Sequence, residues 1–497
     1  MDEPPELSGA AVSVSILEDR GLADELGALL AARGYGYTAL QRMLGDDGLN
    51  LRFADVPLHE RRVDDSPLGT LVKLFYLETS VSAEEAELAG VPEILLVPVA
   101  DGVEASVRLD VYGDLVLSAD RYRAGDGWHL SLDHVSGISL SSLMLAGLAL
   151  RRPVRAALDV GTGCGVQALV AAGHSESVVA TDVNPRALTF AEFNARLNRI
   201  GNVELVLGSF FEPVRGRRFD LILANPPFVI SPDREIMFRD SGLPGDTVSR
   251  EVIEQTPEFL SEEGLAHLLA SWILREAKPW WSPVEGWVEG NGCDTWLLLY
   301  KTEDPLESAS SWAKAFHGTT EDGYHRAMRR WLDYYQELGV ATIVTGAVTL
   351  RRRPAPNWLR ADEFPDGAPT MDTDATLRLF EAQDFLFALA SDEQMLGRAF
   401  ETVQAHRLDR TLRRRDGQYE TDKTTLVLEE GLRSTVNIDA HTVRLLNFCD
   451  GTRPLKEFVS ELAADLGMTP ERTAEEALPV ARRLIELGFL LPTNGSA

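Results

Sequence analysis

Cysteine is scarce. Cys164, Cys293 and Cys449 are the only three in 497 residues, and they lie far apart. That spacing excludes a disulfide framework and offers no C-x-x-C pair for zinc; it fits a reducing cytoplasm. Bases are few beside acids: 48 Lys and Arg against 77 Asp and Glu leave a formal charge of -29. A surface of that sign repels phosphate backbones at long range, although a local basic face can still make a contact. No apolar run is long enough to span a bilayer, so no membrane partner is expected. The first ten residues, MDEPPELSGA, lack the basic-then-apolar pattern of a secretory signal. We find no internal repeat, no low-complexity tract, no Ser-His-Asp array and no metal-ligand cluster.

What is present is ordinary globular composition, 44% hydrophobic and 25% charged, in a chain too long for one core. Residues 14 to about 90 read as helical; SPLGTLVKLFYL is an amphipathic segment opened by Ser66-Pro67. From about 93, EILLVPVADG, EASVRLDVYGD and LVLSADR read as short strands between Gly-Asp turns. Residues 1–135 are therefore expected to form an α+β accessory domain. From about 150 strands and helices alternate, which implies parallel pairing and a doubly wound α/β sheet over 136–355. TWLLLYK and VATIVTGAVTLRR are its closing strands, with the helix GYHRAMRRWLDYYQEL between them. PAPNWLRADEFPDGAPTMDTDA is a linker signal, so 356–400 is expected as linker and helix. Residues 401–497 then form a small domain that reads helix, Asp450-Gly451-Thr452 turn, helix, longer helix and strand, a winged-helix-like or peptide-chaperone-like pattern.

Candidate chemistry begins at LDVGTGCG. Asp159 ends a strand, and Gly161, Thr162, Gly163 and Gly165 form a loop that can turn sharply and approach a ligand at a helix N-terminus. Asp182 closes the second strand in VVATDVNP, followed by Val183 and Asn184; a carboxylate there can accept both ribose hydroxyls of an adenosine ligand. Two points favour S-adenosylmethionine over a nicotinamide cofactor. Asp159 would repel a pyrophosphate but can receive an amino group, and the glycines recur every second residue rather than as G-x-G-x-x-G. The third strand ends in LGSFFEP, where Ser209 is a candidate for the adenine side and Phe210 or Phe211 can wall the adenine pocket, either ring being equally a core residue.

FDLILANPPFVISPD ends a buried strand in Asn225-Pro226-Pro227-Phe228. Ligands bind at that edge of such sheets. Two prolines fix φ and remove two donors, which leaves a rigid segment rich in acceptors. The Asn225 oxygen and the Pro226 carbonyl can hold both protons of one planar NH2 group, while Phe228 stacks on the group that carries it. Methyl transfer from a sulfonium needs little more than positioning and desolvation.

These motifs, in this order, resemble the class I S-adenosylmethionine-dependent methyltransferases with an N-P-P-[FY] motif, above all the release factor glutamine methyltransferases and their N6-adenine relatives. The resemblance covers roughly 150–275 and implies a Rossmann-like methyltransferase sheet. It also implies that Asp159, Gly161, Gly163, Asp182 and Asn225 bind cofactor or substrate. Two departures stand out. Gly208-Ser209 replaces the Gly-Asp often found ahead of Phe-Glu-Pro. Phe228 replaces the tyrosine common in the glutamine-modifying branch and is shared with RNA-modifying relatives. Gly245 and Asp246, in DSGLPGDTVSRE, either shape the substrate mouth or form a plain loop. In DHVSGISLSSLML, Ser and Gly cap a helix start that can lie near the cofactor's methionine end. AHRLDRTLRRRDG is a basic stretch, expected as a solvated helix face or as a contact for nucleic acid or an acidic partner. The substrate is therefore expected to be protein or nucleic acid. Two other readings stand beside methylation of an amide or exocyclic amine: a cofactor-binding regulator, and a tailoring enzyme whose C-terminal module holds a leader peptide.

Overall fold

A computed structural model describes residues 14–46, 53–124, 127–128, 130–317, 320–354, 356–364, 373–416 and 418–493. Part of the expected linker lies outside them. The chain divides into two compact units, residues 1–146 with 151–362, and residues 147–150 with 363–497.

The first unit is built on an eight-stranded sheet. Its strands are β3 (Val154–Val160), β4 (Ser175–Asp182), β5 (Val203–Leu207), β6 (Phe219–Ala224), β7 (Leu260–Leu274), β8 (Cys293–Glu303), β9 (Thr342–Arg352) and β10 (Leu359–Glu363). The order is β5-β4-β3-β6-β7-β9-β8-β10. The first five in that order pair in parallel, with β9 antiparallel to β7 and β8. The closing strands thus turn a parallel sheet into a mixed one. The order reverses between β3 and β4 on one side and β6 on the other, so the ends of β3, β4 and β6 open onto one crevice.

Helices α2 (Leu140–Leu148), α3 (Val166–Ala172), α4 (Pro185–Leu197) and α5 (Thr247–Phe259) connect or flank these strands. The N-terminal region does not stand apart from them. Its helix α1 (Arg20–Arg33) is capped by Asp19 and ended by Gly34 at φ 70. Leu22, Leu26 and Leu30 of α1 share one core with Cys164, Val166, Phe190 and Phe193. The hairpin β1 (Arg108–Tyr112) and β2 (Leu115–Ala119) is held to α4 by two asparagines that act as a strand would. Asn194 accepts from Ser118 N at 2.6 Å and donates to Ser118 O at 2.8 Å; Asn198 repeats this at Val116, at 2.9 and 2.7 Å. The expected border at residue 135 therefore falls inside a single compact unit. EASVRLDVYGD, expected as one strand, splits into Gly102–Ala105 and Arg108–Tyr112.

Between β8 and β9 the chain inserts a helical pair, α6 (Pro305–His317) and α7 (Glu321–Leu338). Thr320 caps α7 by accepting from Gly323 N, and Gly339 ends it at φ 64. Ala327, Trp331 and Tyr335, four apart, form the buried face of α7, and Trp331 and Tyr335 share a core with Ile230, Ile273 and Ile343.

In the second unit, β11 (Ala399–Thr402) is followed by β12 (His406–Arg415), β13 (Gln418–Leu428) and β14 (Thr435–Ile438). Then come α8 (Ala440–Phe448), β15 (Asp450–Pro454), α9 (Leu455–Leu466), α10 (Pro470–Glu486) and β16 (Leu490–Pro492). Two expectations change here. The Asp450-Gly451-Thr452 turn is the start of a strand that pairs with β11, and the basic stretch is the strand β12, not a helix. Neighbouring side chains Arg413, Arg414 and Arg415 can alternate between two solvated faces of a strand, so a helical stripe was not needed to expose them. The sheet β15-β11-β16 takes its middle strand from before the three helices, where a winged helix would close its sheet with a hairpin after them.

Candidate functional site

The glycine loop is set by the ends of β3 and β4. Gly161 N and Thr162 N both donate to Thr181 O, at 2.9 and 3.0 Å, and Gly161, Gly163 and Gly165 have φ of 74, 55 and 90. The three glycines serve different ends. A Cβ on Gly161 or Gly163 would meet nothing within 4 Å, so the loop leaves space above its backbone. A Cβ on Gly165 would meet Ala191 Cβ at 3.1 Å, so this glycine lets α3 pack on α4.

Asp159 is buried under that loop. Its Oδ2 accepts from Thr162 Oγ1 at 2.6 Å and from Ala168 N at 3.0 Å. Burial pushes its pKa up to about 7 against those two bonds, and the charge of Asp182 adds to the rise. Asp182 braces the loop from the other side: Oδ2 accepts from Gly163 N and Oδ1 from Asn184 N, both at 2.9 Å. Burial raises its pKa too. Two carboxylates held short of water at one crevice make a place that a cationic ligand relieves and an anionic one worsens.

The remaining expected contacts divide. Val183 is exposed beside Asp182. Asn184 is spent on structure: Oδ1 caps α4 at Arg186 N, 3.0 Å, and Nδ2 donates to Asp133 O at 2.8 Å. Gly208 N donates to Asp182 O at 2.9 Å, and a Cβ at Gly208 would meet Pro213 Cγ at 2.3 Å. Glycine is therefore required there by Pro213 whatever follows it. Ser209 is exposed in the turn, and Phe210 is half-buried at φ 44, its carbonyl accepting from Thr181 Oγ1 at 3.0 Å. Phe211 is core. It stacks on Phe259 with centroids 4.7 Å apart and planes 14° apart. Phe210 packs as a half-buried ring against the same core cluster.

Asn225 follows the last residue of β6, and Pro226 behind it is buried while Pro227 and Phe228 are half-buried. Asn225 Nδ2 donates to Ser141 Oγ at 3.2 Å. Ser141 belongs to a hydroxyl chain at the start of α2: Ser139 Oγ lies 2.9 Å from Ser141 Oγ and 3.0 Å from Ser142 Oγ, and caps the helix by accepting from Ser142 N at 3.2 Å. With its nitrogen so engaged, the Asn225 amide leaves Oδ1 as its acceptor. The sequence shows the capping serines but gives no sign that one of them orients Asn225, since 84 residues separate the pair.

Downstream, the loop from Val229 to Asp246 is clamped by α7. Tyr335 Oη donates to Ile230 O at 3.1 Å, and Gly245 N donates to Tyr334 Oη at 2.8 Å. Buried Asp233 accepts from Arg330 Nε at 2.7 Å, Trp331 Nε1 at 3.1 Å and Arg239 Nη2 at 3.3 Å. The Arg239 guanidinium lies 4.4 Å above the Phe316 ring of α6. Both Gly245 and Asp246 tie this loop to its neighbours, Asp246 Oδ2 accepting from Ile273 N at 3.0 Å. The segment 130–139 is tied to this loop by Leu132 O, which accepts from Met237 N at 2.9 Å, and to Tyr122, whose Oη lies 2.5 Å from Ser136 Oγ.

Residues 134–274 match the Methyltransferase small domain family. Methyltransferase HEMK2 of Mus musculus is 30% identical over 178 residues, 33% of this chain and 78% of that protein. The chain belongs to the class I S-adenosylmethionine-dependent methyltransferases. A putative protein N5-glutamine methyltransferase of Methanocaldococcus jannaschii is 32% identical over 126 residues, 24% of this chain and 63% of its own. The release factor glutamine methyltransferase of Aquifex aeolicus is 35% identical over 114 residues, 22% of this chain and 41% of its own. The chain spans about half the length of these last two relatives. Residues 377–492 match a second family, described only as a domain of unknown function. A solved ribosomal protein L11 methylase from Lactobacillus delbrueckii subsp. bulgaricus covers 43% of this chain and 77% of its own at 20% identity, with a TM-score of 0.25. For this methyltransferase family the crevice at β3, β4 and β6 fits the cofactor in its open glycines and two buried acids.

Proposed function

We propose that the protein transfers a methyl group from S-adenosylmethionine to the side-chain amide nitrogen of a glutamine in a protein substrate. The observation that carries this reading is Asn225 at the end of β6. Its nitrogen is held by Ser141, its oxygen is left to accept, and two prolines without N–H follow. An amide NH2 offers two protons, and Asn225 Oδ1 with the Pro226 carbonyl supplies two acceptors in a rigid segment. Holding both protons in the amide plane turns the nitrogen lone pair out of it. Phe228 offers a ring on which a planar amide can stack. Bound S-adenosylmethionine supplies the electrophilic methyl, so the N–C bond forms as the S–C bond breaks and the sulfonium becomes a neutral thioether. The amide then loses one proton to solvent. Gly161 and Gly163 give the cofactor room, and Asp159 and Asp182 favour its cationic groups over a pyrophosphate.

The choice of protein over nucleobase is supported by the names of the relatives and by the formal charge of -29. The complete N-P-P-F segment counts against a binder without chemistry, which has no use for orienting an amide. The test is incubation with cell extract and methyl-labelled cofactor, followed by digestion. The reading expects the label to be freed by protease and to yield N5-methylglutamine on proteolysis to amino acids. Label freed by nuclease would assign the site to a base instead.

A further inference from the structure

In the C-terminal unit, β12 and β13 run beyond their sheet as a two-stranded arm. β14 pairs only with Thr424–Val427, so the outer part of the arm has no third strand. Arg407–Arg415 and Gln418–Lys423 are exposed throughout. β12 is an edge strand, so its main-chain groups turned away from β13 have no strand partner among the described residues. A bare hairpin of this kind is marginal in water and a ready template for another strand.

The two faces of the arm differ. Arg407, Arg413 and Arg415 lie on one face and are held in ion pairs by Asp409, Glu429 and Asp422. On the other, the register sets Leu408 opposite Leu426, Arg410 opposite Thr424, Leu412 opposite Thr421 and Arg414 opposite Tyr419. No acid stands among those residues. This face begins at fully buried Leu426 and continues outward past Leu412, 56% exposed, to Tyr419, 72% exposed. Arg410 has no ion-pair partner among the described residues. Exposed Tyr and Arg beside aliphatic side chains is the composition of a binding surface rather than of a solvated one.

We propose that β12 receives an extended acidic segment of another protein as an added strand, with carboxylates set against Arg410 and Arg414 and apolar side chains against Leu408, Leu412 and Tyr419. Residues two apart share a face, so the segment that fits alternates acid and apolar residue on that face. A second copy of this chain is a poor occupant through the same edge, because β12 against β12 sets arginine beside arginine. A nucleic acid would use the charges but not the open main-chain edge or the leucines.

The full-length protein is titrated into fluorescein-labelled decapeptides and followed by anisotropy. One peptide repeats Glu-Ser-Val-Ser, so that Glu and Val alternate on one face; one has Lys in place of Glu; and one keeps the serines but sets the Glu and the Val in two blocks; an oligouridine decamer is run alongside. The proposal expects the alternating Glu peptide to bind at least tenfold tighter than the other two. Arg410→Glu with Arg414→Glu should weaken it at least tenfold, and Arg410→Lys with Arg414→Lys should restore most of it. Hydrogen exchange should slow at the amides of 407–415 when that peptide is bound. Equal binding of the block and alternating peptides, or no exchange protection, overturns strand addition. Tighter binding of oligouridine, lost in the same reversal, overturns the choice of a protein partner.

Discussion

Asn225 shows how much of the site is local and how much is not. Its motif is readable in four residues, and its place at a strand end follows from the apolar run before it. Its orientation comes from Ser141 on another helix, and no local pattern announces that. Asp159 makes the same point about charge. Its position ahead of the glycines suggests a ligand contact, whereas its Oδ2 is committed to Thr162 and Ala168 under the loop. Its raised pKa gives a pH dependence of known sign. Folded, it titrates near 7; unfolded, near the ordinary value of 3.8. Between these the folded protein keeps a proton that the unfolded chain has released. The stabilisation is therefore complete below about pH 4 and falls as pH rises through about 7. Asp159→Asn keeps an acceptor for both bonds and cannot ionise. Its melting temperature relative to wild type should climb from pH 5 to pH 7.5, and parallel melting profiles would show that Asp159 does not titrate in this range.

At the scale of elements, the alternation of strand and helix after residue 150 was legible because buried parallel strands leave continuous apolar runs. The roles of α6 and α7 were not. GYHRAMRRWLDYYQEL reads as an amphipathic helix from its own spacing, but only the fold puts its Arg330, Trp331, Tyr334 and Tyr335 on the loop behind Asn225. The basic stretch at 406–415 was legible as charge but not as a strand, since arginine favours neither shape strongly and the long pairing with β13 decides it. The clamp has a measurable weight. Asp233→Ala removes the carboxylate shared by Arg239, Arg330 and Trp331, while Asp240 still pairs with the buried Arg239. Losing a buried hydrogen bond to a charged group costs about 1.5–3 kcal/mol, so chemical denaturation should show a loss on that scale. A loss below about 1 kcal/mol, the range of an exposed pair, would mean that the loop is held by its apolar contacts alone.

At the scale of the molecule, the expected boundary at 135 misled because helical and strand-rich stretches were read as separate cores. Asn194 and Asn198 bind the β2 backbone, and α1 shares its core with α3 and α4. The two compact units have distinct cores, with Phe400, Phe458, Leu484 and Phe489 in the second. Calorimetry should then resolve two unfolding transitions. S-adenosylmethionine at a hundred times its Kd should stabilise one of them, by about 2.7 kcal/mol, and leave the other in place. A single transition that shifts as a whole would show that the units unfold together.

The central claim is that Asn225 grips the acceptor nitrogen rather than the cofactor. It is tested most directly by single-turnover methyl transfer to the protein substrate with wild type and Asn225→Ala, with cofactor affinity measured separately by calorimetry. The account predicts unchanged cofactor affinity and a rate lower by about 10²–10³, the cost of losing one preorganised orienting bond. Transfer by Asn225→Ala at the wild-type rate would contradict it and leave Asn225-Pro226-Pro227-Phe228 as the end of a strand.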